Sequence, residues 1–214
     1  MNDLGSASQI LGIKISRDKT NGKLWLSQES YIEKVLDKFN MGKAKPVSSP
    51  LRSHLKLWSK QTLSSEKEKE EMRKVPYTST MGSLMYAKVC MRLDIAHVIG
   101  VVSMFLSNPD KEHLVAAIWI LRYLRGNSKT CLCFETNKPM LVGCTDADMA
   151  RDVDSRKSTS CYLITFSRGA VLWQSRLQKC VVLSTTETKY IVITEVSKEL
   201  PMMKKFLQVL SLQQ

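Results

Sequence analysis

The chain has 214 residues, 43% of them apolar, and a formal charge of +12. That length and apolar content suffice for one large domain or two small ones with a buried core, so a wholly disordered chain is excluded. The charge favours an anionic partner, nucleic acid first, because clustered Lys and Arg concentrate phosphates and release their counterions on binding.

In chain order, ILGIKIS from Ile10 and KLWLS from Lys23 are apolar segments around DKTNGK, whose Asn21-Gly22 predicts a two-residue β-hairpin turn. Tyr31, Ile32, Val35, Leu36 and Phe39 then fall on one helical stripe, with Ser27 expected as N-cap and Gly42 as the stop. The segment KAKPVSSPLRSHLKLWS carries Pro46 and Pro50 and reads as a linker or wrapping loop. SSEKEKEEMRK, Ser64 to Lys74, has helix-forming charges but no apolar stripe, and is expected to be an exposed helical turn or flexible loop.

From Pro76 the period becomes helical in YTSTMGSLMYAKVC, LDIAHVIGVVSMFL and KEHLVAAIWILRYLRG. For the last, Asn108 is the expected N-cap, Pro109 the first helical residue and Gly126 the stop. Its expected buried face is Leu114, Ala117, Ile118, Leu121 and Leu124, leaving Lys111, Arg122 and Arg125 outside. Tyr86, Trp119 and Tyr123 can stack on bases, but their spacing reads as core. After Asn127 the period falls to about 2. TCLCFE, MLVGCTD, SCYLITF, AVLWQS and VVLST then predict an antiparallel meander, followed by a helix from near Thr186. The fold class is α+β.

The start, MNDLGSASQ, is interrupted by Asp3 and has no apolar run of signal-peptide length. No segment approaches the ~18 apolar residues that span a bilayer. An intracellular chain is expected, cytoplasmic or nuclear and not secreted, with Cys90, Cys131, Cys133, Cys144, Cys161 and Cys180 as reduced thiols. No C-x-x-C pair occurs, and His54, His97 and His113 are remote from Cys131 and Cys133, so no zinc site is expected. Neither G-x-S-x-G nor a P-loop is present, which leaves a serine hydrolase and a P-loop nucleotide site unsupported.

The ordered strings LGIKISRD, GKLWLSQESYIEKVLDKFNM, AKPVSSPL, GSLMYA, LDIAHVIGVVSMFLSNP, ILRYLRG, TDADMARD, RKSTSCYLITF and AVLWQSRLQKCVVLSTTETKY, preceded by Asn2-Asp-Leu-Gly, closely resemble the C-terminal part of copia-type retrotransposon Pol polyproteins. The resemblance covers nearly the whole chain. It implies that residues 1–50 are the tail of a reverse transcriptase palm and the start of its thumb, 51–138 a thumb and connection-like helical region, and 139–214 the opening of a ribonuclease H-like domain, a partial antiparallel sheet plus helix. The polymerase aspartate pair of such proteins lies upstream, so no reverse transcription is expected from this chain alone.

In the ribonuclease H domain of that family, clustered carboxylates hold two Mg²⁺ ions for phosphodiester hydrolysis. The resemblance assigns the first ligand to Asp146. Asp148 shares its strand face if the strand continues, and is expected to be a solvated strand-end residue, as Asp152 and Asp154 are in the following turn. The second ligand is a glutamate in the first turn of the later helix, and here its position is Lys189 in STTETKY. Glu187 is rotated from it by about 200°. The resemblance places the remaining ligands on later segments, and no stretch before Gln214 resembles the D-N-x-S-A string that carries the third.

Arg92-Leu93-Asp94 stands for an Arg-Pro-Asp of the family, Met149 and Arg151 replace an aromatic and a glycine, and Cys161 replaces a glycine. Pro201 costs about 3 kcal/mol in a helix interior, so the last helix is expected to split near Leu200. An unpaired sheet edge around Leu141 to Cys144 is expected to leave the C-terminal half sticky and marginally stable.

The resemblance therefore points to a truncated, catalytically inactive Pol fragment that binds no Mg²⁺, with residual affinity for RNA–DNA hybrid or other nucleic acid, no membrane partner and an undetermined oligomeric state. The alternatives are a working ribonuclease H of RNA–DNA hybrids completed by sequence outside the chain, and a domesticated nucleic-acid-binding module.

Overall fold

A computed structural model describes residues 5–51, 70, 72–135, 139–152 and 154–212. The Asn2-Asp-Leu string, His54 and most of SSEKEKEEMRK lie outside these residues. The fold is α+β, with one sheet of four antiparallel strands, another of three, and five α-helices delimited among the described residues. The chain forms two compact units, one of residues 1–14 and 27–131 and the other of 15–26 and 132–214.

In the first unit, β1 (Gln9–Ile10) pairs with the start of β2 (Ile13–Asp18) through Gln9↔Lys14 and Ile10↔Ile13. The helix α1 (Glu29–Lys38) buries Ile32, Val35 and Leu36, with Tyr31 and Phe39 packed at the margin, as its stripe predicts. Its N-cap is Gln28 rather than Ser27, whose hydroxyl instead accepts from the Glu29 amide at 3.4 Å.

Helix α2 (Tyr77–Cys90), a 3₁₀ turn (Leu93–Ile95), α3 (Ala96–Ser103) and α4 (Lys111–Gly126) complete a core containing Leu84, Ile95, Ile99, Ile120 and Leu124, all fully buried. The Tyr77 hydroxyl crosses this core to donate to the Val102 carbonyl at 3.2 Å.

Helix α4 departs from its expected start and face. Its N-cap is Asp110, not Asn108, in a reciprocal capping box with His113. The His113 amide donates to the Asp110 carboxylate at 2.9 Å, and the Asp110 amide to His113 Nδ1 at 3.1 Å. The buried face is His113, Ala116, Ala117, Ile120, Leu121 and Leu124, which leaves Ile118 exposed. Arg122 and Arg125 are not simply outward, because each donates its Nε to a carbonyl of residues 42–45.

In the second unit, β2 and β3 (Lys23–Ser27) form the expected hairpin, joined by a four-residue loop, Lys19 to Gly22, rather than two. Asp18 holds that loop by accepting from the Thr20 and Asn21 amides at 3.0 and 3.1 Å. β4 (Cys131–Glu135) joins this sheet, in the order β1-β2-β3-β4, and is not part of the C-terminal meander. The local alternation of TCLCFE predicts a strand but cannot choose its neighbour.

The meander is β5 (Leu141–Asp148), β6 (Thr159–Phe166) and β7 (Gly169–Leu177), in that order, with β5 at the edge. VVLST forms no strand: Val182 is buried, while Leu183 is exposed and spends its amide on the Glu187 side chain at 2.9 Å.

The last helix, α5 (Thr185–Val209), runs unbroken through Pro201, against the expected split. Proline removes the donor that the Ser197 carbonyl would use, but burial of Val192 and Val196 before it and Leu207 after it anchors the helix on both sides. Helix α5 packs on Tyr162 and Ile164 of the sheet.

Candidate functional site

Asp146 lies near the end of β5, exposed, opposite Cys161 in the β5–β6 register. Its face follows from Gly143. A Cβ added there would stand 3.1 Å from both Val196 and Leu200 of α5, so the odd-numbered positions of β5 face the helix. Asp146 and Asp148 therefore share the opposite face. The carboxylate of Asp146 accepts from the Ala147 amide at 2.9 Å, and Asp148 pairs with Arg151 at 2.7 Å. Asp152 organises the following turn, accepting from the Ser155 amide at 2.8 Å and from the Ser155 hydroxyl.

Helix α5 begins at Ser184, whose hydroxyl accepts from the Glu187 amide at 3.1 Å. The buried line Thr188, Val192 and Val196 turns this helix onto the sheet, with Lys189 exposed on one flank and Glu187 exposed on the other. The Glu187 carboxylate is engaged with the Leu183 amide, as a helix start favours. Among the described residues no ion pair joins Asp146 to Lys189.

A two-ion Mg²⁺ centre needs several converging carboxylates. Among the described residues no group of three or more His, Cys, Asp and Glu is placed to hold a metal ion.

Two clusters were not anticipated from the sequence. Arg92 is fully buried; its Nε and Nη2 donate to Asp94 at 3.0 and 2.6 Å and its Nη1 to the Asn127 carbonyl at 2.9 Å. The Tyr123 hydroxyl completes the set by donating to Asp94 at 2.8 Å. Burial alone would raise the Asp94 pKa, but the hydrogen bonds and charge of Arg92, with the Tyr123 hydroxyl, hold it below the usual carboxylate value. The signal in the sequence is the i,i+2 Arg-Leu-Asp spacing.

The second cluster is a buried polar network at the N-terminal end of α5. Gln178 donates its side-chain amide to the Ser160 hydroxyl at 2.9 Å and to the Thr188 carbonyl at 3.1 Å, while its backbone amide reaches the Ser158 carbonyl at 2.8 Å. The Ser158 hydroxyl accepts from the Ala150 amide at 3.1 Å. These bonds join the turn after β5, the end of β7 and the first turn of α5, fixing the part of the unit that carries Lys189. Beside them, a groove of about 450 Å³ between β7 and α5 is lined by Arg176, Lys179, Glu187, Tyr190, Glu195 and Lys198. No described helix is long and apolar enough to cross a membrane.

The chain is 62% identical, over all 214 residues, to the retrovirus-related Pol polyprotein from transposon TNT 1-94 of Nicotiana tabacum, of which it spans 16%. It is 35% identical over 193 residues, 89% of its length, to the retrovirus-related Pol polyprotein from transposon RE1 of Arabidopsis thaliana, of which it spans 12%. Over 129 residues, 60% of its length, it is 43% identical to the secreted RxLR effector protein 161 of Plasmopara viticola, covering 91% of that protein. The chain thus spans less than a fifth of the two polyproteins. No family model and no solved structure matches it.

Proposed function

The chain belongs to the copia-type retrotransposon Pol polyproteins, and from that premise we propose that it is a non-catalytic part of one that retains affinity for nucleic acid. In this reading residues 139–214 correspond to the opening of a ribonuclease H domain, and the preceding helices to thumb and connection. Working inside the cell, in cytoplasm or nucleus, follows from the same premise.

The observation that carries the loss of catalysis is Lys189. An ammonium group stands on the exposed flank of α5 where the family places a metal-binding glutamate, and the nearest carboxylate on that helix, Glu187, is held by the Leu183 amide on the other flank. Position 189 offers Asp146 no carboxylate with which to share a divalent ion, and a cation there disfavours one further.

Incubation of the chain with a labelled RNA–DNA hybrid and Mg²⁺ tests this. No cleavage above background is expected, and Lys189→Glu alone restores none. Hybrid cleavage by the unmodified chain that disappears in Asp146→Asn overturns the reading. The charge of +12 supports the affinity for nucleic acid.

A further inference from the structure

Residues 42–49, a turn followed by irregular chain, form a strap along α4, held by one ridge of that helix. Trp119 Nε1, Arg122 Nε and Arg125 Nε donate to the carbonyls of Ser49, Lys45 and Gly42 at 2.9, 2.8 and 2.7 Å. The donors are spaced three residues apart, so they climb the helix as one row, and the Arg122 guanidinium lies over the Trp119 ring at 5.1 Å. Gly126 lets the strap close in, since a Cβ there would stand 3.1 Å from that of Pro46.

This arrangement has two consequences for the arginines. Each spends only Nε on the strap, and among the described residues no partner takes their Nη atoms. The carbonyl bond also fixes each guanidinium plane, so the outward Nη pair is a pre-oriented fork of the kind that takes a phosphate in two parallel hydrogen bonds, with less side-chain freedom left to lose.

Around them stand exposed Lys43, Lys45 and Lys129. Neither 38–51 nor 114–134 contains an acidic residue. Asp37 stands beside Gly42, and Asp94 is already paired with Arg92.

We infer that the seam between the 42–49 strap and α4 is a surface for the phosphodiester backbone of nucleic acid, with Arg122 and Arg125 as phosphate forks and Lys43, Lys45 and Lys129 as flanking charges. The inference rests on the nucleic-acid affinity proposed above and gives it a place. Guanidinium forks and ammonium groups suit phosphate oxygens, so the surface is assigned to the backbone and not to bases.

The test is fluorescence anisotropy of a short fluorescein-labelled RNA–DNA hybrid against the full chain over a salt series. A triple variant, Lys43→Gln, Lys45→Gln and Lys129→Gln, alters side chains that hold no described partner. It is expected to weaken binding at least tenfold at low salt and to lower the slope of log K against log salt by about 2 to 3. A control of equal charge, Lys198→Gln, Lys204→Gln and Lys205→Gln on α5, is expected to do less than half of this. A charge-conserving pair, Arg122→Lys and Arg125→Lys, is expected to weaken binding several-fold with the slope unchanged.

Equal losses from seam and control, or an unaltered affinity in the seam variants, overturn the surface while leaving the affinity standing. No binding by the unmodified chain at low salt overturns the affinity itself, and the surface with it.

Discussion

The helical unit buries Ile32, Leu84, Ile95, Ile99, Ile120 and Leu124 against one another, whereas the sheet and helix unit encloses Tyr162, Ile164, Val192 and Val196 and lines the end of its interior with Ser158, Ser160, Gln178 and Thr188. The first interior is held by burial of apolar area, which has no preferred direction. The second depends on hydrogen bonds with fixed partners, which set the approach of α5 to the strand ends but tolerate no missing donor. One chain thus combines a part held by apolar burial with a part held by directed hydrogen bonds, and Asp146 and Lys189 lie in the second.

The largest expected effect tests Arg92, a charged group buried inside the helical unit. Asp94→Ala leaves the Arg92 guanidinium buried with only the Asn127 carbonyl, and is expected to cost about 3 to 5 kcal/mol, read by urea denaturation. Next, Ile99→Ala and Ile164→Ala remove equal side chains that are both fully buried. About 4 kcal/mol is expected for Ile99, in the larger core, and about 2 for Ile164, whose smaller cluster can collapse more readily. Equal losses would remove the contrast between the two interiors.

Gln178→Leu is expected to cost about 1 to 3 kcal/mol through the stranded Ser160 and Thr188 partners. Hydrogen exchange should then quicken in the first turn of α5 and in the turn after β5, and not in the helical unit.

The smallest effect is a pH dependence confined to the helical unit. Burial, the strongest influence, pulls the His113 pKa below its ordinary value near 6.5, against the opposing pull of Asp110. A depressed folded value means that the unfolded chain binds the proton first. The stabilisation is therefore complete above about 6.5 and is lost as pH falls below it. Asp94, also depressed, adds a second loss below its ordinary 3.8. Thermal melts between pH 7 and pH 5 are expected to show the first step in the unmodified chain and not in His113→Gln.

Much of the fold was legible because its signals are local. The stripe of α1, the hairpin around Asn21-Gly22, the limits of α2 and the end of α4 at Gly126 follow from period and punctuation. What escaped depends on partners far along the chain. TCLCFE and VVLST carry the same apolar signal, yet one finds a neighbour in the first sheet and the other finds none. Pro201 breaks an isolated helix, but packing on both sides of it outweighs the missing bond. Asp110 took the cap from Asn108 because His113, three residues on, returns a second bond to it.

At the candidate site, the positions of Asp146 and Lys189 came from the family resemblance. Their faces did not, since only the β5–β6 register and the contact of Gly143 with α5 decide which way an aspartate on that strand points.

The adjacency of β3 and β4 has a kinetic corollary. Ser27 ends one strand and Cys131 begins the next, and the whole helical unit is threaded between them. For a flexible chain, closing a loop of roughly a hundred residues costs on the order of 4 kcal/mol of entropy before any strand bond repays it. Once α1 to α4 have condensed, their ends are no longer free and most of that cost has already been met. The four-stranded sheet is therefore expected to form after the helices, while β5, β6, β7 and α5, contiguous in sequence, assemble without waiting for either.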